Sequence, residues 1–532
     1  MAEFSRREAI EIFGATLATL LINPKVYSSQ IDQIGQPITF EKTDTPGIIF
    51  IVGDGMPIST LTALQSLRDS INKTTTFYSK FQSNDATIAY MGTESLSSIV
   101  TDSAPASAAW ATGTKTVNHF LSVLPNDKIL KTIAELAKEN GYDVGFVTTT
   151  GVTHATPAAW YSHNKDRDDE ANIALEALML KPAVLMGGGL KYFSKEANPK
   201  LKKDTLSDFK KEGYAVYTDK KQLKQIDYNK PILGLFAKSH IDHYIDRLND
   251  KNLESQPSLA LMSAIALKKL QMAKKGFVLQ IEAGRIDHAN HANDCMGALM
   301  ETAELDQVLD VVDEYLKTNA KTLVIVTSDH GTGGFNVFGT GADYNDSTEA
   351  FLKYKQVKAS IPYITKKIEN KGLKEVQDIV EYYTGFKIEP SEAQLIIDSR
   401  SPDFTGITGN YLYRAYDSCA LGAVLAKCAY PLSKDGDQTG KANLRRGNVY
   451  FVSTTHTGED QVILSYGFRS RELIASKRIE NTDLFNAMAS FLNIKPYKNP
   501  TMTKKEAKAI MQAYYKDYTY EKLAKSFQLH VT

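Results

Sequence analysis

Gly47-Ile48-Ile49-Phe50-Ile51-Val52 is an unbroken apolar run that stops at Gly53-Asp54-Gly55. Successive side chains of a strand point to opposite faces, so a run that is apolar at every position reads as a strand buried on both. Four later runs have the same form. Asp143-Val144-Gly145-Phe146-Val147 stops at Thr148, Ala183-Val184-Leu185-Met186 at Gly187, Phe277-Val278-Leu279-Gln280-Ile281 at Glu282, and Leu323-Val324-Ile325-Val326 at Thr327-Ser328-Asp329. Helix-like segments such as 130–139 and 258–275 separate them. The alternation predicts an α/β fold of three layers, α/β/α, around a central, mostly parallel sheet. Ligands of open α/β sheets bind outside the carboxyl ends of the strands. Asp54, Glu282 and Asp329 each fall just after such an end.

Residues 336–446 read differently, with helix-like segments over 348–370, 373–383 and 392–397 and then a polar Gly/Lys/Asp stretch at 433–446. They predict an inserted cap or crown region ahead of a last strand at 448–453. The α/β core is then expected over 40–335 and 447–495, with a smaller lid-like insertion over about 198–256 and a C-terminal helical segment over 496–532. Thr503-Lys504-Lys505-Glu506 has the form of a capping box that starts a helix.

The 532 residues carry 62 Lys+Arg against 62 Asp+Glu, so no basic surplus points to nucleic acid and no nucleic-acid specificity is expected. Beyond the N-terminus no run of about 18 apolar residues occurs, so no transmembrane segment is expected in the mature chain. Ser5-Arg6-Arg7 precedes an apolar stretch at 9–22 that Glu11 interrupts, over a region 1–30 whose layout resembles a twin-arginine export signal. A periplasmic or secreted location follows from that resemblance; a short amphipathic helix is the alternative. Cys295, Cys419 and Cys428 are too few for a disulfide framework or a cysteine zinc knuckle. Cys419 and Cys428 are read either as a pair or as two buried thiols.

Chemistry gathers elsewhere. In Ile286-Asp287-His288-Ala289-Asn290-His291 a carboxylate and an imidazole four residues apart share a helix face and can grip one cation. Alone, such a pair is common on solvated helices. Here Asp54, Asp329-His330 and His456 of Thr455-His456-Thr457-Gly458 keep it company, and imidazoles with carboxylates suit zinc. Asp329 and His330 would point apart inside a strand, but both can turn to one metal if the strand has already ended. In Val100-Thr101-Asp102-Ser103-Ala104-Pro105, small residues and an early proline place Ser103 at a helix N-terminus, where an anion is welcome. An ordinary capping serine has the same signature.

Six stretches occur in an order that resembles alkaline phosphatase: Asp54-Gly55, Thr101-Asp102-Ser103-Ala104, Thr153-His154-Ala155-Thr156-Pro157-Ala158, Glu282 to His291, Thr327-Ser328-Asp329-His330-Gly331, and His456-Thr457-Gly458. The resemblance extends over about 47–485. It implies a hydrolase that cleaves phosphate monoesters to an alcohol and inorganic phosphate through a phosphoserine at Ser103, with two zinc ions and one magnesium ion. Asp287, His291 and His456 match the ligands of one zinc, and Asp54, Asp329 and His330 those of the other. Thr156 and Glu282, with Asp54, match the magnesium ligands, at a site that could also take zinc. Arg167 matches the arginine that holds two phosphate oxygens. His154 and His288 stand where the enteric bacterial enzyme has an aspartate and a lysine, as in the animal and several marine bacterial enzymes, and are expected behind the third metal's ligands or on its water, with weaker product retention and an alkaline optimum. Family members are monomers or homodimers. The rivals are a phosphodiesterase or sulfatase built on a related core, and a zinc- or phosphate-binding protein without turnover.

Overall fold

Strand β1 (Gly47–Gly53) is buried throughout, and its side chains divide between two cores: Ile48, Phe50 and Val52 face one, Ile49 and Ile51 the other. A computed structural model of the chain describes residues 38–340, 342–400, 421, 422, 424, 425 and 447–514. Helices Ser103–Thr112, Ile133–Glu139 and Asp483–Phe491 cover the first face, contributing Ala108, Trp110, Ile133, Leu484 and Met488. Leu259–Leu270 and Cys295–Leu316 cover the second with Leu261, Ile265, Leu305, Val308 and Val312. The three layers are therefore a consequence of strands that are apolar on both sides.

The remaining strands are β2 (Thr87–Gly92), β3 (Asp143–Gly151), β4 (Val184–Gly188), β5 (Ala215–Tyr217), β6 (Ile232–Leu235), β7 (Phe277–Ala283), β8 (Thr322–Thr327), β9 (Gly331–Thr332), β10 (Asn336–Val337), β11 (Val449–Tyr450), β12 (His456–Thr457), β13 (Gln461–Gly467) and β14 (Arg478–Glu480). Nine of them join β1 in one ten-stranded sheet in the order β14-β2-β13-β8-β1-β7-β3-β4-β6-β5. All its pairings are parallel except those of β13, which runs antiparallel to β2 and β8. At the centre, β1 pairs with both β7 and β8, so that Val52 lies opposite Glu282 on one side and Thr327 on the other. Three strands thus deliver their ends to one level.

Four expectations need correction. The segment 198–256 is not a lid: β5 and β6 extend the sheet at one edge. The strand expected at 448–453 shrinks to Val449–Tyr450, which pairs with β10 outside the sheet. The chain joins the sheet again through β13. Glu282 lies inside β7, one residue before its end. The helical stretch 348–370 is split into Ser347–Leu352, a 3-10 turn at Lys353–Gln356 and Ile361–Ile368. Ser360 caps the last piece through Tyr363 N and Pro362 occupies its first turn, a start signal that interrupts an otherwise helical pattern.

These helices, with Leu373–Thr384 and Pro390–Asp398, pack around a separate core in which Ile361, Ile364, Val376 and Ala393 meet Leu64 and Leu67 of helix Ile58–Asp69 and Met296 and Leu299 of Cys295–Leu316. The C-terminal helix Lys504–Tyr514 begins with the reciprocal Thr503–Glu506 bonds of a capping box and rests Ala507 and Met511 on Val117, Phe120 and Leu124. Cys295 is a buried free thiol. The export-signal region, Cys419, Cys428 and the polar stretch 433–446 lie outside the described residues. Among the described residues no helix is long and apolar enough to cross a membrane.

Two buried carboxylates hold the inserted helices to the core. Asp246 accepts from Ser360 N at 2.8 Å and Ser360 Oγ at 2.5 Å, and Asp294 Oδ2 accepts from Ile361 N at 2.7 Å. Burial pushes Asp246 up to about 7 and Asp294 to about 6. A carboxyl raised in the folded state supports folding fully below its unfolded value, about 3.9, and loses that support as pH rises through the folded value. Asp246→Asn should therefore lose less stability than the parent between pH 5 and pH 8. Thermal unfolding across that range should show the variant-minus-parent difference in Tm moving toward the variant by about 2 °C or more; a difference that stays constant with pH would mean that Asp246 does not titrate there.

Candidate active site

Asp54 follows β1 directly, and Asp329 and His330 stand two and three residues beyond β8. Gly55 lets the chain turn away at once. Its φ of 60° is left-handed, and a Cβ there would lie 2.5 Å from Asp287 Oδ1 and 2.6 Å from Thr332 Oγ1. Its N–H donates to Asp329 Oδ1 at 3.0 Å, so the end of β1 orients the carboxylate that follows β8. After β7, Gly284 leads into helix Arg285–His291, every residue of which is buried. One turn of this helix separates Asp287 from His291, whose Nε2 lies 3.2 Å from Asp287 Oδ2. His456 arrives from far along the chain on the ribbon of β12 with β9, opposite Thr332 and two residues past His330. The His330 and His456 rings stack with centroids 3.6 Å apart.

These placements gather potential metal ligands into three groups whose donor atoms lie within 4.8 Å of one another: Asp54, Asp329 and His330; Asp287, His330 and His456; and Asp54, His154 and Glu282. The first is the set read for one zinc. In the second, His330 takes the place at which His291 was expected, although His291 Nε2 is only 3.1 Å from His456 Nε2. In the third, His154 stands among the donors rather than behind them. Thr156, in the short helix Ala155–Ala158, donates to Asp54 Oδ2 at 3.3 Å. His288 turns toward His154 and His240, at ring separations of 5.5 and 4.6 Å, and accepts from Arg285 at Nδ1.

Ser103 begins helix Ser103–Thr112, but the cap is Asp102, whose Oδ1 accepts from Ala104 N at 2.9 Å. The serine hydroxyl is thus not used by the cap, and Oγ lies 3.2 Å from His330 Nε2. Asp102 also accepts from Arg167 Nη1 at 2.9 Å and, through Oδ2, from His119 N at 2.6 Å. Arg167 reaches His154 Nε2 with Nη2 at 3.2 Å. The guanidinium carries five N–H groups, so donors remain after these two bonds. Ser103, Arg167 and every expected metal-site residue therefore meet at one sheet edge. Sequence reasoning assigns no role to Asp102, His119, His240 or Arg285, nor to Thr148 and Thr150, which donate to Glu282 Oε2, the latter at 3.1 Å. The run Thr148-Thr149-Thr150 at a strand end was the available signal for the last two.

The electrostatics are strained in a specific way. Burial, then the charges of Asp329, Asp287 and Glu282, push Asp54 well above the usual carboxylate range, and Arg167 opposes them only in part. Burial would raise Asp287 too, but the imidazoles of His291, His456 and His330 outweigh it and hold the carboxyl well below that range. Burial and the neighbouring His330 bring His456 down to about 3. Asp54 Oδ1 and Glu282 Oε1 are buried and have no hydrogen-bond partner among the described residues, while Asp329 Oδ2 lies 3.1 Å from His330 Nε2. Buried carboxylate oxygens without partners are costly unless they are paired or coordinate metal. The donor chemistry fits: imidazole with carboxylate suits zinc, and a group richer in oxygen suits magnesium.

A sheet edge that gathers metal-ligating side chains around one serine is the arrangement of a metal-binding α/β hydrolase. A family model for alkaline phosphatase matches residues 46–494, and the chain belongs to that family. Alkaline phosphatase 4 of Bacillus subtilis is 30% identical over 461 residues, covering 85% of this chain and 90% of the relative. The Escherichia coli alkaline phosphatase is 31% identical over 333 residues, 53% of this chain and 69% of the relative. The crystal structure of Thermus thermophilus alkaline phosphatase superposes with a TM-score of 0.81 at 30% identity, over 90% of this chain and 97% of that one. That of a cold-active alkaline phosphatase from a psychrophilic Shewanella gives 0.67 at 28% identity, over 84% and 99%. The chain is an enzyme, a phosphoric monoester hydrolase.

Divalent cations that relieve this carboxylate crowding should stabilise the fold. Scanning calorimetry before and after exhaustive chelation should show Tm falling by about 5 °C or more, with recovery on adding zinc and magnesium, as expected for ligands well above their Kd. Metal uptake should also release protons, because Asp54 must ionise to bind. An unchanged Tm after complete metal removal would count against the cluster as a metal site.

Proposed function

We propose that the chain hydrolyses phosphate monoesters to an alcohol and inorganic phosphate through a phosphoserine at Ser103, using two zinc ions and one magnesium ion. The zinc ions would be held by Asp287, His291 and His456 and by Asp54, Asp329 and His330, with His330 near enough to join either set. Magnesium would be held by Asp54, Thr156 and Glu282, with His154 adding a nitrogen donor that also suits zinc. When bound, these ions supply positive charge that lowers the pKa of the serine hydroxyl and stabilises the departing alcohol oxygen. The observation that carries the proposal is the single hydroxyl of Ser103 beside His330, the imidazole common to two of the donor groups.

The chain's own groups do the rest. Asp102 fixes the start of the Ser103 helix and the direction of Arg167 together, since both bonds end on Oδ1. Arg167 then offers its remaining N–H groups to two oxygens of the phosphoryl group, as a planar fork does. The positive end of the helix dipole adds to the field on the transferring phosphoryl group. Ser103 Oγ forms the new P–O bond as the alcohol oxygen leaves on the opposite side. A water entering from the vacated side releases inorganic phosphate and restores the hydroxyl. His288 stands near with its Nε2 buried and unpartnered, suited to hold a water or a phosphate oxygen. With His154 and His288 in these places we expect an optimum above pH 7. The Ser5-Arg6-Arg7 stretch supports export to the periplasm or medium, and a homodimer is one of the two assemblies expected of the family.

Glu282, Thr156 and Arg167 favour a monoester over a diester or sulfate ester, because the charge they gather or supply matches a dianion. An aryl phosphate should turn over faster than its diester; the reverse order would replace this reading with a phosphodiesterase. Ser103→Ala should lower kcat by about a thousandfold or more. Arg167→Ala should raise KM and the inhibition constant for inorganic phosphate by about tenfold, as the loss of a charge-assisted bidentate contact does. Steady-state kinetics with phosphate as inhibitor checks both; an Arg167→Ala enzyme with an unchanged phosphate inhibition constant would remove Arg167 from the substrate site.

A further inference from the structure

The way from solvent to Ser103 is marked by burial. Ser103 is 1% exposed, and among the residues of the three donor groups only His456 is more than slightly open, with 16% of its side chain accessible. Two segments flank His456. One is the approach to the serine helix: Thr101 O lies 2.9 Å from His456 Nδ1, and a Cβ on Gly458 would sit 3.3 Å from Ile99 O. The other precedes His456 and carries Val452, tied back by Val452 N to Gly333 O at 3.0 Å. A Cβ on Gly334 would lie 2.4 Å from Val452 Cγ2 and 3.9 Å from Thr457 Cγ2, so Val452 stands beside the residue that follows His456.

Both segments turn a β-branched apolar side chain to solvent. Ile99 is 75% exposed and Val452 60%. One such residue is ordinary on any surface; here each of the two segments next to His456, the least buried of the donors, carries one. Phe338 and Tyr450, whose rings lie 5.8 Å apart, are also partly exposed. The aspartates nearby are paired, Asp102 with Arg167 at 2.9 Å and Asp460 with Arg478 at 2.6 Å. Residues 97–102 and 449–460 contain no Lys or Arg but do contain Asp102, Glu459 and Asp460. Such a lip offers its contact to carbon.

We propose that Ile99 and Val452 form an apolar lip that receives the carbon skeleton of the departing alcohol and gives the enzyme a preference for monoesters of apolar alcohols. The proposal deepens the reading of Ser103 as nucleophile and rests on it. In an in-line displacement the alcohol oxygen leaves opposite Ser103 Oγ. Ser103 lies on the buried floor of the site, so that direction is the solvent side, past His456 and between the two segments.

The test is a series of straight-chain primary alkyl phosphates from ethyl to octyl, in which the reactivity of the leaving group is nearly constant. For the parent holoenzyme kcat/KM should rise about twofold per added methylene, somewhat less than full burial gives, until the lip is covered. In the double variant Ile99→Ser, Val452→Ser the rise should flatten, while competitive inhibition by inorganic phosphate, which has no alcohol portion, stays within about twofold. Both positions are exposed, so the variant should fold, and circular dichroism with thermal melting checks this. A flat series in the parent, or an equal slope in the double variant, would overturn the lip while leaving phosphatase turnover intact. No turnover of any member of the series would remove the Ser103 reading and the lip with it.

Discussion

Four carboxylates, Asp54, Glu282, Asp287 and Asp329, are buried together at the ends of three adjacent strands, and their mutual repulsion is the constraint around which the rest is arranged. Two like charges 4 Å apart repel by about 4 kcal/mol even with the screening typical near a protein surface. The chain's own side chains oppose this unevenly: imidazoles hold Asp287 and Asp329 below the usual carboxylate range, while Asp54 is left well above it. Arg167 is already bound to Asp102, and Arg285 is bound to His288. Imidazoles of His291, His330 and His456 lie against Asp287, yet His456 itself is driven toward neutrality by burial and by His330. Divalent cations are the natural resolution, and the same charge that relieves the protein serves a phosphate dianion.

Rigidity comes from where these groups are mounted. The parallel pairing of β1 with β7 and β8 sets the ends of three strands level, so Asp54, Glu282 and Asp329 differ in position by only a residue or two along the sheet. Glu282 stays on its strand, where hydroxyls of Thr148 and Thr150 from neighbouring β3 satisfy Oε2 and leave Oε1 without a hydrogen bond. Asp102 does a similar service one layer away by capping a helix and directing an arginine with a single oxygen. These supporting bonds determine which lone pairs face inward, and they explain why metal-site geometry is built on strand ends and a buried helix rather than on long loops.

The central strands were legible because burial on both faces writes a continuous apolar run, and the active edge was legible because acidic residues end those runs. Strands β2, β13 and β14 were not. β2 alternates, with Tyr90 exposed, and β14 is three residues at the edge of the sheet, too short to show a period. The extent of 198–256 was misjudged because short β5 and β6 lie between helical turns and polar loops, which resemble a lid in composition. Asp287 and His291 could be paired from helical spacing. No local rule could bring His456 to His330, since a two-residue ribbon between distant segments does it; there the ordered resemblance to alkaline phosphatase supplied what spacing could not. Asp102 was visible beside Ser103, but whether a carboxylate caps the helix or enters the site depends on a side-chain direction that sequence does not carry.

The proposed function turns on one step, covalent bonding of Ser103 Oγ to phosphorus within this cage. Mixing the metal-loaded enzyme with a phosphate monoester, quenching in acid during turnover and mapping phosphate onto peptides by mass spectrometry tests it directly. One phosphate is expected, on Ser103, in the peptide that contains Asp102 and Ala104. Phosphate on any other residue, or turnover with no phosphorylated peptide when water attack on the intermediate is made rate-limiting by low pH, would contradict it.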